Sequence, residues 1–317
     1  MFSKFLISLC ILLSFSVLSK DLQPITIYIG YVAGSNSDKI VRTLQQELQQ
    51  EIPNPIRIDY KPGAGGDIAA GFVANNNKKE TTMLVTNLNL AWWNITKNSN
   101  YDYRKLVPVA YLGTTPQIFV STPSLGLRTK DDWDKLDSIN PITFGSSGFG
   151  SSTHLDGEVL FYKSNKHMLH IPYKGSTELL PDLLAGRIKT AYHFRLSVQD
   201  FIKEGKLIPF AVASHQRLKS LPNIPTLNEI GLKDSWIPVW QILVANPGAD
   251  RNLVKQVQNA LIKIYNDPVR YDKFSEMSDL QLDPKTVILK PTFIQEQIDI
   301  FKDYAKKIPT FSPKNLD

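Results

Sequence analysis

Short apolar segments alternate with amphipathic segments and polar loops along most of the chain. Pro24–Ile29 is rich in β-branched residues, and a polar loop separates it from a segment in which Ile40, Leu44, Leu48 and Ile52 recur at helical spacing. This order predicts a strand, a loop and a helix. Because the unit repeats, we expect mostly parallel strands with helices on both faces of the sheet.

The same patterns predict most of the remaining elements. The predicted strands are residues 55–60, 82–86, 107–112, 117–121, 142–146, 168–173, 208–214 and 240–245. The predicted helices after the first are residues 68–74, 154–163, 179–184 and 251–265. We find no repeat of solenoid type and no low-complexity tract, so the sequence predicts an ordinary α/β protein.

The first nineteen residues have the pattern of a secretory signal. Phe5–Leu18 lies between Lys4 and Lys20, is almost wholly apolar or hydroxylic, and is shorter than the ~20 residues of a membrane span. Small residues before Lys20 permit cleavage after Ser19. We therefore expect residues 1–19 to be removed on export to the periplasm, with an uncleaved anchor as the alternative.

Composition narrows the classes of protein that remain. The chain has 317 residues, which is room for two domains of ~150 residues each. Its residues are 42% hydrophobic and 21% charged, as is typical of a globular protein. Its one cysteine, Cys10, lies in the predicted signal, which excludes a disulfide scaffold or a cysteine nucleophile from the mature chain. Removing residues 1–19 leaves 298 residues and takes away Lys4, so the formal charge falls from +6 to +5. The basic residues are dispersed, which argues against nucleic-acid binding.

Three loops that join a predicted strand to a predicted helix consist of glycine and small polar residues. They are Ala33–Asp38, Pro62–Asp67 and Gly145–His154. In α/β sheets such loops lie at the carboxyl ends of strands, where ligands bind, and the first N–H groups of the following helices favour anions. Ordinary helix capping is the alternative for any one loop alone, but three loops together predict an anion site.

The loops lack the signatures of nucleotide binding. Gly63-Ala64-Gly65 and Gly148-Phe149-Gly150 each lack the third glycine of GxGxxG, and no loop ends in Gly-Lys-Ser or Gly-Lys-Thr. A carboxylate is therefore the expected anion.

Seven segments resemble, in their order and in their amino-acid sequences, those of the periplasmic substrate-binding proteins of tripartite tricarboxylate transporters, also called the Bug family. These segments are the loop ending at Asp38, Lys61–Gly66, Pro108–Ala110, Gly145–Ser151, His170–Gly175, Gly205–Leu207 and Leu221–Gly231. The last reads Leu-Pro-x-x-Pro-Thr-x-x-Glu-x-Gly and is the most specific of them. The resemblance covers nearly all of the predicted mature chain.

The resemblance implies a periplasmic binding protein of the type II-like, Venus flytrap class. Two α/β lobes would be joined by hinge strands near Gly113 and Trp240, with a ligand cleft between them. Lobe 1 would comprise residues 20–121 plus 238–317, and lobe 2 residues 122–237. Such proteins capture a small carboxylate and deliver it to the integral-membrane permease subunits of their transporter.

The resemblance also implies the residues that hold the ligand. Backbone N–H and hydroxyl groups of the first and third loops bind one carboxylate, often with water at the other end. Carried over to this sequence, the ligand-binding residues are Gly34, Ser35, Asn36, Asp38, Gly65, Gly66, Thr86, Asn87, Ser147, Gly150, Ser151, His154, Tyr173, Lys174 and Gly175.

Two departures from the family pattern bear on ligand choice. In the family the first loop usually reads Pro-Gly-Gly-Ser-Thr-Asp, so Ser35 occupies a position where glycine normally leaves the backbone without a side chain. Alignment places His193, with Arg195 two residues on, where the family commonly has an acidic residue near the pocket. We therefore add His193 to the expected site, with exposure to solvent as the alternative for His193 and Arg195. Trp92, Trp93 and Trp240 are expected in the core.

Other functions are less well supported by the residues. Ser151 or Ser152 with His154 suggests a serine hydrolase, but residues this close at a helix start seldom form a triad, and Gly-x-Ser-x-Gly is absent. His167 and His170 would point to opposite faces of a strand, so no metal site is predicted, and no cofactor is expected.

We therefore predict a monomeric, non-enzymatic binding protein. The main alternative is a sensor subunit that presents its ligand-bound form to a membrane sensor kinase. The sequence does not distinguish citrate, a dicarboxylate, an amino acid or an aromatic acid as the ligand.

Overall fold

Ten strands of the described residues form two five-stranded sheets, each flanked by helices. The computed structural model describes residues 22–96, 99–138, 141–281 and 286–311. The predicted signal segment, residues 1–19 with Cys10, lies outside the described residues. Within those ranges, no helix has both the length and the apolar character needed to cross a membrane.

The strands are β1 (Ile25–Ile29), β2 (Ile56–Tyr60), β3 (Thr82–Asn87), β4 (Val107–Thr114), β5 (Gln117–Ser121), β6 (Ile142–Ser146), β7 (Met168–Pro172), β8 (Thr190–Phe194), β9 (Ile208–Ala213) and β10 (Trp240–Ala245). The helices are α1 (Asn36–Leu48), α2 (Asp67–Ala74), α3 (Asn89–Ile95), α4 (Lys130–Asp134), α5 (Ser152–Lys163), α6 (Ser176–Leu184), α7 (Arg195–Lys203), α8 (Arg251–Asn266), α9 (Pro268–Ser278) and α10 (Phe293–Lys307).

The two sheets define two α/β lobes, as the resemblance implied. The first lobe has the strand order β2-β1-β3-β10-β4, and the second has β7-β6-β8-β5-β9. The strands β1, β2 and β3 are parallel, as are β6, β7 and β8. One strand of each sheet is antiparallel to both of its neighbours, β10 in the first and β5 in the second.

The antiparallel strands modify the expectation of mostly parallel sheets. β5 and β10 are the strands that follow the two crossovers between lobes, so the chain enters each sheet from the side where the other strands end. β5 also corrects the predicted lobe boundary at residues 121 and 122, because Gln117–Ser121 belongs to the second sheet. The two crossovers are hydrogen-bonded to each other, from the Thr115 N–H to the Val239 carbonyl at 2.8 Å.

Each sheet is covered on both faces. In the first lobe, α1, α8 and α9 pack on one face and α2, α3 and α10 on the other. An aromatic cluster fills one face of the second lobe, where Phe119 contacts Trp133, Phe144 and Tyr192. Leu155 of α5 packs into the α3 and α10 side of the first lobe, so apolar contacts also join the lobes.

The sequence analysis did not predict six of these elements, namely β8, α3, α4, α7, α9 and α10. β8 was not predicted, although it lies in the middle of the second sheet, because Thr190–Phe194 is short and carries a histidine. α9 and α10 were not predicted either. Their positions are fixed by packing, since α9 contacts α1 and α10 contacts α3 across the first lobe.

Gly157, in the middle of α5, lets the helix lie directly on β6. A methyl group added at Gly157 would lie 2.3 Å from ring carbons of Phe144. We predict that Gly157→Ala lowers the free energy of unfolding by about 1–3 kcal/mol, because overpacking outweighs the gain in helix propensity. Urea denaturation of both proteins measures this difference.

Gly71→Ala in α2 is the matched control. There the added methyl would lie 3.1 Å from one ring carbon of Tyr101, a milder contact at the same gain in helix propensity. Equal stability changes for the two variants would contradict the packing argument.

Candidate functional site

A cavity of about 460 Å³ is lined by residues of both lobes. All three glycine-rich loops of the sequence contribute to it, as do the start of α6 and part of β10. The first two loops lie together because β1 and β2 are parallel neighbours that end at the same edge of the first sheet. The third loop follows β6 of the second sheet and meets them across the cavity.

The first loop presents the N-terminus of α1 to the cavity. Ser35 is the N-cap, and its hydroxyl accepts a hydrogen bond from the Asp38 N–H at 3.3 Å. This leaves the N–H groups of Asn36 and Ser37 without a partner inside the helix. The buried Oδ1 and Nδ2 atoms of Asn36 also have no partner among the described residues, so this side chain is available to a ligand.

Asp38 fixes the shape of this loop from behind. Its carboxylate accepts hydrogen bonds from the Gly34 N–H at 2.7 Å, the Tyr60 hydroxyl at 2.8 Å and Arg42 Nε at 3.0 Å. Burial opposes ionisation, but these bonds hold the pKa of Asp38 below its ordinary value. Asp38 therefore stays charged and positions the loop, although it does not line the cavity.

The second loop approaches the first through glycine. A Cβ at Gly30, which follows β1, would lie 2.6 Å from the Gly66 Cα, so only glycine allows this approach. The Tyr31 hydroxyl donates to the Gly65 carbonyl at 2.8 Å. Burial raises the pKa of Tyr31 to about 12, which keeps this hydroxyl a donor.

The third loop, from the second lobe, places the N-terminus of α5 at the cavity. Its N-cap Ser151 accepts from the His154 N–H at 3.3 Å, and the Ser147 N–H donates to the Thr153 hydroxyl at 2.9 Å. Across the lobe interface, Asn89 Nδ2 donates to the Gly150 carbonyl at 2.8 Å. The loop is therefore held both by its own helix and by the first lobe.

The charge of the lining favours an anion. Among the described residues that line the cavity there is no Asp or Glu, and Lys174 is the one charged residue. The Tyr173 hydroxyl, beside Lys174, donates to Asp182 at 2.6 Å, which lies outside the lining. A carboxylate placed at the helix N-termini would therefore meet donors without a neighbouring negative charge.

The structure brings ten of the expected ligand residues to the cavity wall. These are Gly34, Ser35, Asn36, Gly65, Asn87, Ser147, Ser151, Tyr173, Lys174 and Gly175. The expected residues outside the lining are Asp38, Gly66, Thr86, Gly150, His154 and His193. Gly66 and Gly150 act through the loop contacts described above, and Thr86 lies within the buried strand β3.

Comparison with known proteins places this arrangement in a family. The profile of the tripartite tricarboxylate transporter family receptors matches residues 40–308, most of the chain. The chain belongs to this family. BugT of Bordetella pertussis is 26% identical over 238 residues, which cover 73% of each chain. A second B. pertussis protein, of the UPF0065 group, is 28% identical over 243 residues, 75% of each chain.

Solved structures of this receptor family and its relatives share the fold. The periplasmic binding protein BugD superimposes with a TM-score of 0.77 at 20% identity, covering 90% of this chain and 98% of BugD. An R. palustris protein solved with adipate has a TM-score of 0.80 at 21% identity, covering 90% and 97%. MatC from Rhodopseudomonas palustris, solved with malate, has a TM-score of 0.73 at 21% identity, covering 88% and 98%.

His193 and Arg195 do not lie where the family alignment suggested. His193 is on the central strand β8, fully buried, and neither ring nitrogen has a partner among the described residues. Arg195 is also buried, and its Nε donates to Asp279 at 2.6 Å, which joins α7 to the end of α9 in the other lobe. Neither residue lines the cavity. The error arose because β8 was not recognised as a strand.

His154 and Glu158, which are buried, form a polar cluster next to the third loop with His170, which is partly buried. Each offers a possible metal-ligand atom within 4.8 Å of the others. His154 Nδ1 accepts from the Gly150 N–H at 3.2 Å, so Nε2 carries the proton and faces Glu158 at 3.3 Å. A protonated nitrogen cannot bind a metal, so this cluster fits loop support better than metal binding.

The same hydrogen bonds argue against a serine nucleophile at this receptor's cavity. Both ring nitrogens of His154 are directed to Gly150 and Glu158, while Ser152 accepts from Gln117 Nε2 at 2.9 Å. Among the described residues, no histidine ring therefore forms a hydrogen bond with the Ser151 or Ser152 hydroxyl.

Several lining residues were missed by the sequence analysis. They include Tyr31, Phe149, Thr177, Phe194, Ser197 and Gln241. Phe149 lies within the third predicted loop and Tyr31 lies just before the first, and the sequence could have indicated both, since each is an aromatic residue in or next to a polar segment. Gln241 had none, because β10 has the pattern of a buried strand. Trp92 and Trp240 are buried, as expected of core residues.

The buried His193 and the partly buried His170 make the stability of this receptor sensitive to pH. Burial lowers the pKa of His193 to about 4, and burial and His154 lower that of His170 to about 3. The unfolded chain takes up these protons near pH 6.5, while the folded protein does not. We therefore predict that both histidines destabilise the fold as pH falls from 6.5 toward 4, each by about 1.4 kcal/mol per pH unit.

His193→Leu isolates one of these contributions. Urea denaturation between pH 7 and pH 4.5 should show that the variant loses less stability than wild type as pH falls. Burial raises the pKa of Asp279 to about 6, so this residue stabilises the fold as pH falls, opposite to the histidines. Because both proteins contain Asp279, its contribution to stability cancels in the comparison. His167→Leu, at an exposed histidine, is the control and should keep the wild-type slope. Parallel slopes for wild type and His193→Leu would contradict the prediction.

Proposed function

We propose that this receptor is an extracytoplasmic solute-binding protein that captures a small carboxylate and delivers it to a tripartite tricarboxylate-type permease. The observation that carries the proposal is the cavity itself. Free N–H groups at the starts of α1 and α5 face it from opposite lobes, and its described lining has no acidic residue. Relatives of similar fold have been solved with adipate and with malate, which supports the same ligand class.

Binding would also draw the lobes together. The ligand carboxylate would be held at once by the Ser35–Ser37 segment of one lobe and the Ser151–Thr153 segment of the other. The crossovers near Thr115 and Val239 are the short connections that would absorb the motion. This function involves no catalysis, cofactor or metal, and a monomer is sufficient for it. Cleavage of residues 1–19 would release the protein into the periplasm.

Added ligand should stabilise the protein. At 100 times its dissociation constant a ligand adds ~2.7 kcal/mol, which we expect to raise the melting temperature by roughly 5 °C. The screen comprises citrate, dicarboxylates from succinate to adipate, amino acids and aromatic acids. No shift with any of them would contradict the carboxylate class.

Asn36→Leu is the variant that tests the site in this screen. It removes two unpartnered amide atoms from the cavity wall at similar volume, so we expect at least tenfold weaker binding of whichever acid stabilises the wild type. Gln46→Leu, at an exposed position of the same helix, should bind like wild type. If the two variants bind equally well, the carboxylate does not lie at the start of α1.

Transport and sensing make different predictions in the cell. If the protein serves a permease, deletion of its gene should abolish uptake of the radiolabelled acid found in the screen, and expression of the wild-type gene should restore it. Intact uptake with a lost transcriptional response to that acid would instead support the sensor-kinase role.

A further inference from the structure

Gln241 is a buried polar residue in the wall of the cavity with one unused atom. It lies on β10 opposite Asn87 of β3, and both residues line the cavity. The residue is 1% exposed. Its Nε2 donates to the Thr115 hydroxyl at 3.3 Å, whereas its Oε1 has no partner among the described residues.

The three cavity amides differ in what they offer a ligand. Both ends of the Asn87 amide are occupied, since Oδ1 accepts from the Asn89 N–H at 3.0 Å and Nδ2 donates to the Tyr31 hydroxyl at 3.5 Å. Asn36 offers both a donor and an acceptor at the start of α1. In Gln241 the Nε2 atom already donates to Thr115, so the amide atom without a partner among the described residues is the acceptor Oε1.

A buried acceptor constrains any ligand that covers it. Gln241 Oε1 is buried and has no partner among the described residues, so it carries the cost of an unsatisfied acceptor. A ligand that packs a methylene group against it leaves the oxygen unpaired, whereas a ligand hydroxyl that reaches it supplies the missing hydrogen bond. Sites built to bind a ligand donor therefore discriminate strongly against analogues that lack it.

We propose that this receptor selects a hydroxyl-bearing carboxylate, whose hydroxyl donates a hydrogen bond to Gln241 Oε1. The inference rests on the proposed function, which places the carboxylate at the helix N-termini. An ammonium group would also donate to Gln241, but the described lining has no Asp or Glu to balance its charge. The ligand class is therefore hydroxy acids rather than amino acids.

Matched pairs of acids test this selectivity. The dissociation constants of the purified protein are measured by isothermal titration calorimetry for propionate and lactate, succinate and malate, and 3-phenylpropionate and 3-phenyllactate. In the pair whose size fits the cavity, we expect the hydroxy acid to bind at least about tenfold more tightly. Phenylalanine carries an ammonium group where 3-phenyllactate carries a hydroxyl, and it should bind more weakly than 3-phenyllactate.

Gln241→Met assigns the selectivity to this residue. Methionine keeps a similar volume but has no comparable acceptor, so the difference between the two acids should disappear. Gln117→Met is the matched control. Gln117 is a buried glutamine near the same crossover that also has an unpartnered Oε1, but it does not line the cavity. Its variant should keep the wild-type ratio of the two affinities, whatever happens to each affinity. Melting curves without ligand show whether both variants are folded.

The outcomes separate this inference from the proposed function. Equal binding within every pair, or tighter binding of the plain acids, would overturn the inference and leave the carboxylate function standing. Tighter binding of phenylalanine than of 3-phenyllactate would overturn the hydroxyl assignment. Binding of none of these acids would contradict the proposed function, and the inference with it.

Discussion

Backbone N–H groups at helix starts can hold an anion only if the loops that carry them are fixed in place. In this receptor the first turns of α1 and α5 supply such groups from two different lobes. Each loop has its own buried support. Asp38 holds the first through the Gly34 N–H, and His154 holds the third through the Gly150 N–H. The geometry of the cavity depends on these two contacts.

The supports also connect the loops with one another. The Tyr31 hydroxyl bonds the second loop, and Asn87 in turn reaches Tyr31. Asn89, two residues further on, donates to the carbonyl of Gly150 in the other lobe. A chain of polar contacts thus runs from the first lobe to the second beside the cavity. Because its members are buried, each is costly to leave unpaired, and this favours one arrangement of the loops.

Residues of the glycine-rich loops have two different roles, since some can bind the ligand and others hold the loops in position. Asp38 and His154 belong to the loops expected from the sequence to hold ligand, yet neither lines the cavity, and each accepts a hydrogen bond from a backbone N–H of its loop. A carboxylate of Asp38 facing the cavity would repel an anionic ligand. Turned inward, it stabilises the loop instead, and its charge is balanced by Arg42.

The sequence by itself determined the alternating strands and helices, the three polar loops and the family, because these depend on local periodicity and on short runs of glycine and hydroxyl residues. It did not determine the direction of β5 and β10, the strand β8 or the placement of His193, because these follow from how distant segments pair. Gln241 is the clearest case. Only tertiary structure brings it beside Thr115 and Asn87, where one amide atom is held and the other is left to a ligand.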